Sequence, residues 1–343
     1  MENLLNVLRK DRPVAVFVHN NPDPDALASA FGLRILLKKL GFTRVRGIYF
    51  SGLIGRAENR EMIRLLKIHL TPTEKARRYE KWQTVLVDCQ PYTGNLTLPE
   101  GLKPTAVIDH HPLRKKTTRL PFYDVRPQYG ACSTIIAEYF QAAGVPVPGD
   151  AATGFCYGIS SETRRLARDG SAADRTAYLH LLSLASFKRL SQIEYSRLSR
   201  EFIDHLSKVL LKAFYCKNFA CALLDDIPYP DFPAEMADFL LRIRGISWSL
   251  CLGQHGDTLY VSIRSTNPRA EASSLIRRIL PRQGKSGGHG MVAGGQVRID
   301  CADPARLMGL KRSILDKMLD AIRCRGVKLT RFAGGDDTDS YIR

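Results

Sequence analysis

Long apolar runs, paired cysteines and acidic residues are scarce in this chain of 343 residues. No stretch approaches the roughly 20 consecutive apolar residues that a membrane-spanning helix needs, so we expect no membrane association. The first residues, MENLLNVLRK, lack the small-residue cleavage site of a secretory signal, and we therefore expect a cytoplasmic protein. The eight cysteines occur without a C-x-x-C pair, which disfavours a zinc ribbon or a redox dithiol.

The shortage of acidic residues leaves a strongly basic chain. Only 34 Asp and Glu oppose 51 Lys and Arg, which gives a formal net charge of +17. Such a surplus favours polyanionic partners, although charge alone does not separate nucleic acid from nucleotide, acidic lipid or simple solubility. The 44% of hydrophobic residues can form cores, and the length predicts two domains.

Short apolar, β-branched runs alternate with helix-length segments in the first half of the chain. These runs are residues 14–18, 45–50, 84–88 and 105–109. Between the first two, residues 25–40 carry apolar side chains at helical spacing and end at Gly41. This alternation predicts an α/β fold with a parallel sheet, whose ligands collect at the carboxyl ends of the strands.

The second half begins with a segment, residues 188–213, whose apolar residues recur every three to five positions, and we predict one long amphipathic helix. Strands are predicted at 219–224, 247–252 and 258–263, followed by a helix that Asp303 caps. We therefore expect a smaller α/β domain after a helical linker. The expected divisions are a catalytic domain at 1–187, the linker at 188–214, a substrate-binding domain at 215–331 and a flexible tail at 332–343.

Three residues that can bind metals, His19, Asp23 and Asp25, follow the first predicted strand within seven positions. Pro22 and Pro24 stiffen this loop, and the alternating carboxylates could face different cations. The alternative is that Asp23 or Asp25 only caps the following helix.

Two further strands also end in acids. Asp88 follows one apolar run, and Asp109, His110 and His111 follow the next. A carboxylate at the end of a buried strand is costly unless a cation accompanies it. Mixed imidazole and carboxylate ligands suit Mn²⁺, Fe²⁺, Co²⁺ or Zn²⁺ better than an all-oxygen ion, and manganese is the first choice.

These motifs resemble those of the DHH phosphoesterase superfamily, which is named for the triplet seen here at 109–111. The H-x-x-P-D-x-D pattern, Asp88, the triplet and a fourth motif at 158–163 occur in the family's order. The stretch GGHGMVAGG at 287–295 is similar to the signature of the DHH-associated C-terminal domain. That pairing points to the oligoribonuclease and pAp phosphatase branch, and it disfavours the pyrophosphatases of the family.

The resemblance implies two divalent ions, with Mn²⁺ as the first choice. One ion would be held by His19 and Asp23, the other by Asp25 and His110, and Asp88 would bridge the two ions. His111 would face the substrate phosphate, and Asp109 would orient a neighbouring imidazole.

The fourth motif departs from the family, because Glu162 stands where many relatives have Asp. The extra methylene moves its carboxylate outward by more than the roughly 0.2 Å that a metal bond tolerates, so either the loop shifts to complete the coordination of the second ion or that ion binds weakly. Arg164 and Arg165 follow, either as phosphate contacts or as a solvated helix start.

The second domain supplies the expected substrate contacts. The resemblance marks Arg264 as a phosphate-gripping residue, with Ser265 beside it, and glycines let the backbone at Gly287, Gly288 and His289 approach a phosphate. A surface arginine and a flexible loop are the plain alternatives.

We therefore expect an enzyme that hydrolyses short oligoribonucleotides, linear dinucleotides or 3′-phosphoadenosine 5′-phosphate. The alternatives are a nucleotide sensor whose metal site Glu162 has weakened, and a pyrophosphate or polyphosphate hydrolase. Short RNA or nucleotides are the expected partners, and the resemblance implies a homodimer.

Overall fold

The computed structural model describes residues 1–77, 79–167, 170–299 and 303–333, with only the backbone of His289. The chain divides into two compact units, Met1–Arg197 and the part from Leu198 onward. This division falls within the predicted linker. The domain boundaries given above remain a prediction. In the described part of the chain, no helix combines the length and apolarity that crossing a membrane requires.

The first unit contains a six-stranded parallel sheet of order β3-β2-β1-β4-β5-β6. Its strands are β1 (Val14–Phe17), β2 (Val45–Phe50), β3 (Leu70–Pro72), β4 (Gln83–Val87), β5 (Ala106–Asp109) and β6 (Phe122–Val125). The order runs in opposite directions on either side of β1 and β4, so the fold has a switch point there, where doubly wound sheets bind ligands. The α/β fold with a parallel sheet is confirmed.

Helices cover one face of this sheet. They are α1 (Glu2–Val7), α2 (Pro24–Lys39), α3 (Ala57–Leu66), α4 (Cys132–Ala142), α5 (Gly149–Glu162), α6 (Ala172–Leu182) and α7 (Phe187–Glu194). Alternate strand residues, such as Val14 and Val16, pack against α2, α4 and α5, whereas Ala15 and Phe17 enter a smaller core on the opposite face. Burial on both faces explains why the strands are continuously apolar.

The second unit contains a seven-stranded mixed sheet of order β11-β12-β10-β9-β8-β7-β13. Its elements are α8 (Arg200–Lys212), β7 (Ala213–Cys216), β8 (Phe219–Asp226), α9 (Phe232–Leu240), β9 (Trp248–His255), β10 (Thr258–Ser265), α10 (Ala272–Ile279), β11 (Lys285–His289), β12 (Val292–Arg298), α11 (Pro304–Ala321) and β13 (Thr330–Arg331). Asp303 caps α11 by accepting the Arg306 N–H at 2.9 Å, as predicted. A second α/β unit is thus confirmed.

The predicted single helix at 188–213 is wrong, because α7 ends at Glu194 and α8 begins at Arg200. The Ser199 hydroxyl accepts the Phe202 N–H at 3.1 Å and starts α8. The five-residue interval from Ile193 to Leu198 also departs from helical spacing.

The glycine-rich stretch forms a hairpin of β11 and β12 at the edge of the sheet, so the alternative of a flexible loop is wrong. Arg164 and Arg165 follow the end of α5, which corrects the alternative that they begin a helix. In the predicted tail, Phe332 contacts the Tyr215 ring, with centroids 4.7 Å apart, and residues 334–343 lie outside the described residues.

Candidate metal centre

Three adjacent parallel strands bring the predicted ligands to one edge of the first sheet. β1, β4 and β5 are neighbours, and their carboxyl ends are followed or occupied by His19, Asp88 and Asp109. Residues that are distant in sequence therefore meet at the switch point, as we expected from the strand ends.

The loop after β1 uses one carboxylate for two contacts. Oδ1 of Asp23 accepts the Ala26 N–H at 2.9 Å and caps α2, while Oδ2 lies 3.5 Å from Nε2 of His19. The two interpretations of Asp23 are therefore compatible, because one oxygen caps the helix and the other faces the imidazole. His19 also contacts the Asn20 carbonyl through Nδ1, at 2.9 Å, which directs Nε2 toward the carboxylates.

Asp25 is buried at the N-terminus of α4. Oδ2 accepts the Cys132 N–H at 2.6 Å and Oδ1 accepts the Ser133 N–H at 2.8 Å. Oδ2 also lies 4.0 Å from Nε2 of His110. Burial, with a further contribution from the Asp88 carboxylate, raises the pKa of Asp25 to about 8. The two N–H groups at the start of α4 thus fix the orientation of the Asp25 carboxyl group.

Asp88 lies between the imidazoles. Its Oδ2 is 3.6 Å from Nε2 of His19, and its Oδ1 is 3.4 Å from Nε2 of His110 and 3.8 Å from Nδ1 of His111. The residue adopts a left-handed φ of 58°, which is uncommon outside glycine. Asp88 belongs to both groups of side chains whose ligand atoms converge, one with His19 and Asp23 and the other with His110 and His111.

Two atoms at this point fit a cation. Asp88 Oδ1 and His110 Nε2 are both buried, and neither has a hydrogen-bond partner among the described residues. Buried polar atoms normally have partners, and an unpaired carboxylate oxygen facing an unpaired imidazole nitrogen is a donor set for a divalent metal. The residues therefore fit a manganese-type ion.

The electrostatic environment also favours positive charge. Burial would lower the pKa of both His19 and His110. The carboxylates of Asp23 and Asp88 raise the pKa of His19 well above its ordinary value, and those of Asp88 and Asp25 do the same for His110. A site that holds imidazolium in this way supplies the negative charge that a divalent cation needs.

Asp109 is the anchor of the DHH triplet. Its Oδ1 accepts the backbone N–H of His110 at 2.8 Å, that of His111 at 3.2 Å and the Nδ1–H of His111 at 2.9 Å. Its Oδ2 accepts the Gln90 side-chain amide at 2.7 Å. Because Asp109 holds Nδ1 of the half-exposed His111, the Nε2 of that ring is the nitrogen available to a substrate.

Gln90 was missed by the sequence analysis. The residue is buried, and besides Asp109 it contacts the Arg114 N–H at 2.8 Å and the Thr117 hydroxyl at 2.9 Å through Oε1. A polar residue two positions after Asp88, just beyond a buried strand, was the available signal.

Glu162 is the last residue of α5 and lies within the electrostatic influence of the cluster. Burial raises its pKa, the Asp23 and Asp88 carboxylates raise it further, and His110 opposes them. A carboxylate whose charge is disfavoured by other acids is suited to a nearby cation. Its role as a metal ligand remains a prediction.

The predicted substrate residues of the second unit lie on β10 and β11, which are both paired with β12. Arg264 is buried, with Nε 3.2 Å from Asp238 Oδ1, and it donates to the Ser262 hydroxyl at 2.6 Å. Ser265 donates to the Ser247 carbonyl at 3.0 Å. Their roles in binding remain predictions.

The register places these residues on shared rows. Arg264 pairs with Val292, which pairs with His289, and two rows further along Ser262 pairs with Gly294, which pairs with Gly287. Gly288 has φ +142°, and a Cβ there would lie 2.3 Å from the Val292 carbonyl oxygen, so the position requires glycine. The His289 side chain lies outside the described part of the structure.

The fold and the site together define an α/β domain with a parallel sheet and a candidate metal centre of acids and imidazoles at its strand ends. Residues 13–159 match the DHH family, N-terminal domain. This segment of the chain is therefore a DHH-family N-terminal domain, which confirms the predicted superfamily, while the branch remains a prediction.

Two relatives illustrate how far the similarity extends. An uncharacterized protein of Methanocaldococcus jannaschii is 31% identical over 290 residues, which cover 84% of this chain and 58% of the relative. A probable manganese-dependent inorganic pyrophosphatase of Lactobacillus johnsonii is 27% identical over 173 residues, which cover 50% of this chain and 54% of that protein. The chain thus spans little more than half the length of either relative.

A solved structure supports the two-unit architecture. An exopolyphosphatase-related protein from Bacteroides fragilis has a TM-score of 0.72, with 94% of this chain and 97% of that chain covered at 15% identity. This similarity shows the fold alone.

Proposed function

We propose that the protein is a two-metal phosphoesterase that hydrolyses short oligoribonucleotides and linear dinucleotides, with 3′-phosphoadenosine 5′-phosphate as a further substrate. The observation that carries the hydrolytic chemistry is the position of Asp88. Its carboxylate faces His19 on one side and His110 on the other, at 3.6 and 3.4 Å, and Oδ1 has no hydrogen-bond partner within the described residues. A shared carboxylate between two ligand groups is the arrangement that a two-metal phosphoesterase needs.

The residues divide into two sets around Asp88. His19 and Asp23 would hold one ion, and Asp25, His110 and Glu162 would hold the other. Two divalent ions supply an acidified water and neutralise the charge of the phosphate when they are bound. In the protein, Asp25 is fixed by the backbone of α4 and His110 contacts the Tyr129 carbonyl through Nδ1, at 3.2 Å. These contacts hold the ligands in place before binding.

The remaining triplet residues would act on the substrate. Asp109 orients His111 through Nδ1, so that Nε2 can donate to a phosphate oxygen on which charge develops. Gln90 holds the other oxygen of Asp109 and fixes the orientation of the pair. His111 is therefore the proposed catalytic residue, and Asp109 and Gln90 are positioning residues.

The preference for a nucleotide rests on the second unit. Gly287 and Gly294 are directly opposite each other, and among the described residues a Cβ at Gly287 would meet nothing within 4 Å. At Gly294 it would meet only the Val261 carbonyl, at 3.9 Å. Two facing glycines leave an uncovered strip of backbone, which suits a planar base or a ribose, and pyrophosphate has neither group.

Pyrophosphate hydrolysis is the second candidate, because the Lactobacillus johnsonii relative is named as a pyrophosphatase and matches half of this chain. The deciding experiment measures Mn²⁺-dependent hydrolysis of 5′-phosphorylated diadenylate, 3′-phosphoadenosine 5′-phosphate and pyrophosphate. We expect the dinucleotide to be cleaved with the highest kcat/KM. A higher value for pyrophosphate would overturn the nucleotide proposal.

Two histidine variants test the location of the chemistry. His110→Ala removes a proposed metal ligand and should abolish turnover, whereas His180→Ala removes an exposed histidine of α6 and should leave it unchanged. Binding of the dinucleotide without turnover in the wild-type protein would instead support a nucleotide sensor. We also propose that the protein is located in the cytoplasm and forms a homodimer. Light scattering of the purified protein, which gives its molar mass in solution, tests the homodimer.

A further inference from the structure

A basic surface with an exposed aromatic ring lies beside the proposed catalytic residues, and none of the metal or substrate contacts described above uses it. The surface, here called the basic rim, consists of Tyr92 and four exposed cations of the segment after the DHH triplet, namely Arg114, Lys115, Lys116 and Arg119. We propose that the basic rim binds the single-stranded RNA that extends beyond the scissile nucleotide. This inference rests on the proposed function.

The rim is fixed to the metal centre by hydrogen bonds. Gln90 donates to Asp109 Oδ2 at 2.7 Å and accepts from the Arg114 N–H and the Thr117 hydroxyl at 2.8 and 2.9 Å. One buried amide therefore joins the carboxylate that orients His111 to the backbone of the basic segment. The start of the basic segment is therefore held beside the residues that orient His111.

The loop that carries Tyr92 is attached to the metal centre at both ends. The Thr93 hydroxyl donates to the Gln90 carbonyl at 2.9 Å. Further along the loop, the Asn95 carbonyl accepts the Asn20 N–H at 2.6 Å, and Asn20 adjoins His19. The position of Tyr92 relative to the metal ligands is thus defined by contacts on either side of it.

The charge of the rim is of one sign. The sequence has no acidic residue at 89–99 or at 110–123. Within the described ranges of the chain, no acidic side chain forms an ion pair with any of the four cations. Unpaired, exposed cations next to a phosphate-cleaving site are a binding surface for further phosphates.

Tyr92 supplies the second element of single-strand binding. Tyr92 is 78% exposed. The Nζ of Lys116 lies 4.1 Å from the centroid of the Tyr92 ring, so one face of the ring contacts this cation. Its φ of +67° is an outlier for a bulky side chain, and burial does not compensate for it. An aromatic platform among cations is typical of proteins that bind single strands without sequence preference.

The test compares substrates of different length. Hydrolysis of 5′-phosphorylated diuridylate and hexauridylate is measured with Mn²⁺ for the wild type, Tyr92→Ala, Tyr92→Phe and the double variant Lys115→Ala, Lys116→Ala. We expect the kcat/KM of Tyr92→Ala for the hexanucleotide to fall about tenfold more than that for the dinucleotide, because one stacked base is lost. Tyr92→Phe keeps the ring and should stay within about twofold of the wild type.

Binding is measured separately, by anisotropy of a fluorescein-labelled phosphorothioate hexauridylate with Mn²⁺ present. The lysine double variant should lower the slope of log affinity against log salt concentration by about 1.4, since each phosphate contact on a single strand contributes about 0.7. The matched control is Lys38→Ala, Lys39→Ala, which removes two exposed cations from the far end of α2 and should not change the slope.

The outcomes separate this inference from the proposed function. Equal hexanucleotide affinity for the wild type, Tyr92→Ala and the lysine double variant overturns the basic rim as an RNA surface. Absence of RNA hydrolysis together with loss of affinity in these variants supports the rim and overturns the proposed function. If the variants lose binding to phosphatidylserine vesicles while RNA affinity stays unchanged, the surface binds lipid and the inference is wrong.

Discussion

The Oδ1 atom of Asp88 lies 3.4 Å from Nε2 of His110, and among the described residues neither atom has a hydrogen-bond partner. The other oxygen of Asp88 faces His19 at 3.6 Å. One carboxylate therefore serves two groups of potential ligands, and its removal should affect both groups, whereas the loss of His19 should affect only one.

The first prediction concerns metal stoichiometry. Wild-type protein should bind about two Mn²⁺ per chain, His19→Ala about one, and Asp88→Asn less than one, because only Asp88 is shared. Metal analysis after equilibrium dialysis gives the counts, and thermal unfolding with increasing Mn²⁺ gives the matching loss of stabilisation. His69→Ala, which removes an exposed histidine, serves as the control. Equal counts for His19→Ala and Asp88→Asn would contradict the bridging role.

The second prediction concerns the Asp109 carboxylate. Oδ1 of Asp109 accepts a hydrogen bond from His111 and Oδ2 accepts one from Gln90. Asp109→Asn replaces one of these oxygens with an NH₂ group, which would then face the N–H donor of His111 or of Gln90. We expect kcat to fall about 10- to 100-fold, as is usual for residues that orient catalytic or ligand side chains. Steady-state kinetics with Mn²⁺ at saturation measures the effect. Asp226→Asn, at an exposed position of the second unit, should retain full activity, and an equal loss there would argue against a specific role for Asp109.

Much of the fold and the site follows from local patterns. Buried parallel strands are continuously apolar, so four of the six strands of the first sheet were evident, and the acids and imidazoles at their ends met as expected. The edge strands Leu70–Pro72 and Phe122–Val125 were missed, because the first is only three residues long and the second is incompletely buried and carries the polar Asp124 among its apolar residues.

Contacts between distant parts of the chain could not be predicted in the same way. The Cys132 and Ser133 N–H groups bind Asp25 across more than a hundred residues, and backbone donors leave no trace in a sequence pattern. Gln90 was missed for a related reason. Its side chain connects Asp109 to Thr117 by hydrogen bonds, and neither partner is near it in sequence.

The third prediction tests the packing beneath the metal loop. A Cβ on Gly32 of α2 would lie within 2.1 Å of the Phe155 ring of α5, so Gly32→Ala should destabilise the protein by about 1–3 kcal/mol. Chemical denaturation measures the free energy of unfolding. Adding Phe155→Leu should recover part of the loss, because the clash is with the ring. Gly309→Ala, in an exposed part of α11 with nothing within 4 Å among the described residues, should instead stabilise by about 0.5–1 kcal/mol. A loss for both alanine variants would contradict the packing argument.

The fourth prediction links metal binding to pH. Burial would lower the pKa of His19 and His110, but nearby carboxylates raise it well above the ordinary value, and the pKa of Asp25 is about 8. These groups carry protons at pH 7 without metal, yet only the deprotonated forms can bind Mn²⁺. Binding should therefore release about two to three protons, and Mn²⁺ affinity should rise with pH from about 6 to 9.

Isothermal titration calorimetry at pH 7, in two buffers of different ionisation enthalpy, counts the released protons. Asp25→Asn removes one titrating group, so the variant should release about one proton fewer and show a shallower dependence of affinity on pH. The direction of the pH dependence decides the prediction, because a ligand that must lose a proton before it binds Mn²⁺ always has a lower affinity for the ion in acid. An affinity that is constant from pH 6 to 9 in the wild type would show that Mn²⁺ does not bind through these imidazoles and carboxylates.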